Sequence, residues 1–110
     1  MLENQKKRIK DLPKDERPRE KLLKYGADKL SDAELLTILL RTGTKGKSAT
    51  EMAEEILKSA GGTFRGLSGK DTVDITQVLG VKDAKVATVA AALEISRRVA
   101  KQILKDKGII

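Results

Sequence analysis

The sequence predicts an all-α fold, a small domain of about five helices, and three observations carry that expectation. Apolar residues recur at helical spacing in several segments that are bounded by helix start and stop signals. Eleven alanines favour closely packed helices, and with only two aromatic residues, Tyr25 and Phe64, the core must be aliphatic. Leu, Ile, Val and Phe make up 29 of the 110 residues. That share lies above the roughly 20% below which a chain stays disordered, and the length suits one domain.

The elements follow in order. Residues 1–16 are highly charged and contain Pro13, so they read as a mobile or loosely docked lead-in. Arg17 to Gly26 has Pro near the first helical turn and Gly at the end, the punctuation of a short first helix. Ser31-Asp32-Ala33-Glu34 is a capping box, and Leu35, Leu36, Ile38, Leu39 and Leu40 follow until Thr42-Gly43. The apolar surface of this second helix is wide, which makes it the expected centre of the core. A second capping box, Ser48-Ala49-Thr50-Glu51, opens a third helix with Met52, Ala53, Ile56 and Leu57 on one face and Gly61-Gly62 at its end. After a turn at Ser68-Gly69 comes a short fourth helix, Asp71 to Leu79, with Asp71 or Thr72 as N-cap. The last helix runs from Asp83 to about Lys105, with Val86, Val89, Ala90, Leu93, Ala100, Ile103 and Leu104 in one stripe. Leu35, Leu36, Leu39, Ile56, Val89 and Leu93 are the expected core. The helical domain thus spans 17–106, and 107–110 reads as the start of a linker.

Composition excludes several chemistries. The chain has no cysteine and no histidine, so it cannot build a disulfide framework, a zinc site with thiolate or imidazole ligands, or a Ser-His-Asp triad. No catalytic residue, metal or cofactor is expected. The apolar runs are too short for a transmembrane helix, and no apolar segment follows Lys6-Lys7-Arg8, so a cytoplasmic protein is expected. The 23 Lys and Arg exceed the 16 Asp and Glu, for a net charge of +7. Residues 1–26 carry +4, residues 27–67 are neutral and residues 68–110 carry +3. Basic ends suit an anionic partner, although solubility alone explains such a charge equally well.

Two segments bear on that partner. Gly43-Thr44-Lys45-Gly46-Lys47-Ser48 ends like a phosphate-binding P-loop, but its glycines have two residues between them where a P-loop needs four, and a helix precedes it where a strand is required. What survives is an anion site at the N-terminus of the third helix, with Lys45, Gly46 and Lys47 beside it; an ordinary interhelical turn accounts for the glycines as well. The second segment, Val78 to Ala87, lies between a short helix and a long one and resembles a helix-hairpin-helix. Gly80 and Val81 fit its Gly-apolar pair, and Ala84 and Ala87 are small where the two helices would cross. Lys82 stands where the motif has its second glycine. In this motif backbone amides and a helix N-terminus hold phosphate oxygens and no base is read, which makes Gly80, Val81, Lys82, Ala84 and Lys85 the candidate contacts. The bland alternative is a plain αα-hairpin. Leu39 to Met52 reads as a degenerate companion hairpin, with Ala49 and Ala53 as small packing residues.

Three motifs stand in one order: Arg17-Pro18-Arg19-Glu20-Lys21-Leu22-Leu23, Leu30-Ser31-Asp32-Ala33-Glu34-Leu35-Leu36, and Leu39-Leu40-Arg41-Thr42-Gly43-Thr44-Lys45-Gly46-Lys47-Ser48. Together they resemble the N-terminal domain of the RadC (UPF0758) family, from about Ile9 to Val99. The resemblance implies a helical domain with a helix-hairpin-helix, followed in the full-length protein by a metal-dependent JAB/MPN domain. The metal motif of that domain needs histidines, so none of its residues can be placed here. The family carries a DNA repair and recombination label. The expected function is therefore that of a non-catalytic, DNA-binding accessory domain from a bacterial cytoplasm. The rival is a protein-interaction module that recruits a partner or substrate to the JAB/MPN domain.

Overall fold

The computed structural model describes Ile9 and residues 12–44, 46–79 and 83–110. Among them are six α-helices and no strand: α1 (Pro18–Tyr25), α2 (Asp32–Leu40), α3 (Ala49–Ser59), α4 (Phe64–Ser68), α5 (Thr72–Leu79) and α6 (Asp83–Asp106). The all-α expectation holds. Both capping boxes form: the Ser31 and Ser48 hydroxyls accept from the Glu34 and Glu51 amides at 3.1 Å, and each glutamate returns to the N-cap amide. At α5 the N-cap is Asp71, whose carboxylate accepts from the Asp74 amide at 2.9 Å. The helix that the sequence reading missed is α4. It has five residues and one buried apolar side chain, Leu67, too few for a periodic signal, and it is started by the Thr63 hydroxyl capping Gly66.

The centre of the core is α3, not α2. Met52, Ala53 and Ile56 are wholly buried because α2, α4 and α5 all pack on α3. Helix α2 packs on α3, α6 and α1, yet of its leucines only Leu36 and Leu40 are buried, while Leu35 and Leu39, expected in the core, are half-buried. Ile75, Val86, Val89 and Leu93 complete the cluster. Thr37 is the one polar residue buried in it among those described; its hydroxyl donates to the Ala33 carbonyl at 2.7 Å, so its burial costs no hydrogen bond.

The apolar stripe of α6 outruns the body. Val86, Val89 and Leu93 are buried, but every residue from Glu94 onward is exposed, including Ala100, Ile103 and Leu104. A 24-residue helix is longer than the layer it packs on, and the last turns extend past it.

At the other end of the chain, residues 12–16 dock on α1. Lys24 pairs with Asp15 at 2.7 Å, Arg17 Nε donates to the Leu12 carbonyl at 3.2 Å, and Ile9 leans on the core. Of the expected lead-in, residues 1–8, 10 and 11 lie outside the described residues. Helix α1 is tied to α2 by Lys21 and Glu34 at 3.1 Å. Burial pushes the Glu34 carboxyl up, but the Ser31 amide and the Lys21 ammonium outweigh it and hold the group below its ordinary value.

Candidate functional site

A single side chain ties the first turn of α6 to the α2–α3 connection. Lys85, in the first turn of α6, donates from Nζ to the carbonyls of Leu40 at 2.5 Å and Thr42 at 2.6 Å, and to the Thr42 hydroxyl at 3.2 Å. An ammonium thus adds bonds to carbonyls at the end of α2 that have no intrahelical partner. Burial first, and then the neighbouring Arg41 guanidinium, hold the Lys85 ammonium below its ordinary value.

Between the two carbonyls lies a strained residue. Arg41 has φ 68° and ψ −59°, and the Thr42 amide donates to the Leu40 carbonyl at 2.8 Å, which closes a γ-turn of the uncommon positive-φ hand. Among the described residues Arg41 is the one non-glycine residue with positive φ. Such geometry costs on the order of 1–3 kcal/mol and persists where neighbours over-determine it. Lys85, gripping the carbonyls on both sides, does so here.

The loop that follows is a tight turn. Thr44 and Lys47 exchange backbone hydrogen bonds at 2.9 and 3.0 Å, and Gly46 supplies the φ of 90° that the turn needs. A Cβ on Gly43 would stand 2.2 Å from the Lys47 carbonyl oxygen, so only glycine lets the loop close onto α3. The expected anion site at the start of α3 is not open. The Ser48–Glu51 capping box takes two of the amides and sets the Glu51 carboxylate there, and Lys47 pairs with Glu55 at 2.7 Å.

The other predicted contacts divide as follows. Gly80, Val81, Lys82 and Lys45 lie outside the described residues. Ala84 and Ala87 are exposed, so they do not form the close helix crossing expected of them; Val86 and Val89 face the body instead. In the companion segment Ala49 and Ala53 are buried, as expected.

Two grooves open beside the end of α2, sharing Ile9, Arg41 and Thr42. One, of about 580 Å³, runs between the start of α1 and the end of α2 and is lined by Arg17, Arg19 and Glu20 together with Thr37, Ile38 and Pro18. The other, also about 580 Å³, follows the Gly43–Ser48 loop to Glu51. Sequence reasoning did not place Arg17, Arg19 or Arg41 in a site. The signal was present: two of the motifs in the family resemblance each carry arginine, and folding brings these two together. Among the described residues no three acidic side chains gather in a way that would hold a metal, and no helix is long and apolar enough to cross a membrane.

Comparison with known proteins gives a consistent result. Residues 9–87 match the family model described as UPF0758 N-terminal. Over 101 residues the chain is 52% identical to the UPF0758 protein Nmul_A2138 of Nitrosospira multiformis, covering 89% of this chain and 43% of the relative. Over 100 residues it is 46% identical to a UPF0758 protein of Clostridium botulinum (strain Alaska E43 / Type E3), covering 88% and 42%. A UPF0758 protein of Saccharophagus degradans is 50% identical over 99 residues, covering 90% and 44%. The chain therefore spans less than half the length of these curated relatives. No solved structure matches it.

Proposed function

The chain belongs to the UPF0758 family, whose N-terminal domain it matches, and from that premise we propose that it is a non-catalytic DNA-binding accessory domain. On this reading the α2–α3 and α5–α6 connections together hold the phosphate backbone, in a bacterial cytoplasm and in the service of repair or recombination. The observation that carries the reading is the bond from Lys85 to the Leu40 and Thr42 carbonyls, which supports the pairing of two hairpins on one face. Arg41 lines the groove beside the α2–α3 loop together with Lys47, which would have to leave Glu55 to meet a phosphate, and Lys45 and Lys82 belong in sequence to the two connections. Contacts of this kind reach phosphates and leave the bases unread, so binding is sequence-tolerant.

Titration of duplex and branched DNA at several salt concentrations tests it. With about three phosphates neutralised, log K falls against log salt with a slope near −2.7, and the dissociation constant at physiological salt lies around 10⁻⁴–10⁻⁶ M. No binding at low salt overturns the reading.

One observation favours the second reading, a protein-interaction module that brings a partner or substrate to the JAB/MPN domain of the full-length protein. Ile95, Val99 and Ile103 lie one helical turn apart along the free part of α6 and are 64%, 55% and 49% exposed. Loss of partner recruitment on changing these residues to Glu, with DNA binding absent, would establish it in place of the first.

A further inference from the structure

We propose that the groove between the first turn of α1 and the end of α2 is a binding pocket for the dianion of a phosphate monoester, held by Arg19 and Arg41 with Arg17 beside them. Three arginines line it, Arg17, Arg19 and Arg41, and one acidic residue, Glu20. The two positive charges of Arg19 and Arg41 match a phosphate monoester, which carries close to two negative charges at neutral pH, better than they match a single carboxylate or a bridging diester. Guanidinium is also the group suited to this ligand, since its planar fork donates two parallel hydrogen bonds to one oxyanion.

Arg19 and Arg41 are not spent on the protein itself. Arg19 and Arg41 make no ion pair or side-chain hydrogen bond among the described residues, although Glu20 lines the same groove. Arg17 is engaged, its Nε donating to the Leu12 carbonyl, so its part is to add charge and shape. Arg41 also stands close enough to Lys85 to disfavour the Lys85 charge, and an anion in the groove would relieve that repulsion. Ile9, Pro18 and Ile38 give the groove an apolar side, which suits the organic part of a monoester.

The phosphate has two possible sources, a small molecule such as a nucleotide and the 5′ end of a DNA strand, and the second groove running on from Arg41 along the loop gives room for either. This pocket does not depend on the DNA-binding reading. Its occupation by a small phosphate ester would stand even if the chain bound no duplex.

The test follows backbone amide resonances of the whole chain during titration with inorganic phosphate, adenosine 5′-monophosphate and adenosine, and compares 5′-phosphorylated with 5′-hydroxyl duplexes of one sequence. Expected are shifts at Arg19, Glu20, Arg41 and Thr42 with the phosphate-bearing probes and none with adenosine. Preference for the phosphorylated duplex assigns the source to a strand end; equal duplex binding with a response to the monophosphate assigns it to a small molecule. Each of Arg19→Gln and Arg41→Gly should weaken binding about tenfold or more, the loss expected for a charge-assisted hydrogen bond. Arg19 is exposed and supports no other element, so its variant keeps the fold. If no phosphate-bearing probe moves these resonances, or if both folded variants bind as the parent does, the proposal is overturned.

Discussion

The Lys85 ammonium lies 2.5 Å from the Leu40 carbonyl oxygen, so a residue at the start of α6 closes the end of a helix 45 positions earlier in the chain. The contact makes Lys85 a structural residue before it is a contact for any ligand. Lys85→Met leaves the Thr42 carbonyl to water and the Leu40 carbonyl with the Thr42 amide alone, and loosens α6 from the α2–α3 loop. The expected loss is about 1.5 kcal/mol, the lower part of the range for bonds to a charged group because the site is partly open to solvent. Urea unfolding should show a lower midpoint with an unchanged slope. An unchanged midpoint would mean that the ammonium only rests on the surface, and the pairing of the two hairpins would lose its support.

How much of this was legible in the sequence depends on the range of the interaction. Helix starts are local, so both capping boxes and the Pro18 start were readable, and the helices followed from them. Helix α4 was not, because five residues hold less than two turns of pattern. Periodicity showed that α2 and α6 have apolar stripes but not how far the body covers them, hence the placing of Leu35 and Leu39 in the core and the exposure of Ile103 and Leu104 at the end of their stripe. Lys85 read as a cation available for phosphate because the carbonyls it serves are distant in sequence. The pocket arginines were hidden for the same reason: Arg19 and Arg41 are 22 positions apart and share a site only once α1 has docked on α2.

The core expectation can be sharpened on two adjacent leucines. Leu40 is 1% exposed and lies in the central cluster, whereas Leu39 is half-buried at its edge. Leu40→Ala should cost about 2–5 kcal/mol, as a large-to-small change in a closed core does. Leu39→Ala should cost less, about 1–2 kcal/mol, because it gives up less buried area and water fills part of the gap. Thermal unfolding of the two variants side by side checks the order; a reversed order would place α2 about a quarter-turn from its observed orientation.

Acid should loosen the junction of α1 and α2. The Glu34 carboxyl is held below its ordinary value of 4.5, with burial opposing the shift and the Ser31 amide and Lys21 outweighing it. A depressed carboxyl contributes stability that is fully present above its unfolded-state value and is lost as pH falls through the folded one, so the loss begins below pH 4.5. Its size is modest, about 0.5–1 kcal/mol, since the pair is partly solvated. Glu34→Gln should unfold at the same urea concentration as the parent at acid pH and at a lower one at neutral pH. Equal stability of the two at neutral pH would show that neither the cap nor the Lys21 pair contributes.

Arg41→Gly should make the chain more stable. The γ-turn at φ 68° and ψ −59° is strained for any residue with a Cβ, whereas glycine occupies this region as readily as its mirror image. Release of the strain is worth on the order of 1–3 kcal/mol, and the greater freedom of glycine in the unfolded chain takes back roughly 1 kcal/mol. A net gain of about 1 kcal/mol is expected, which raises Tm by roughly 4–8 °C in a domain of this size. Arg41→Ala is the control. It removes the same guanidinium but keeps the Cβ, so it should gain only whatever the loss of repulsion toward Lys85 returns, and its Tm should stay near that of the parent. Calorimetry on the three proteins decides the matter. If glycine and alanine raise Tm equally, the gain is electrostatic and the backbone carries no strain. If glycine lowers Tm, the arginine side chain itself holds the loop in place, and its service to a ligand would come second to its service to the fold.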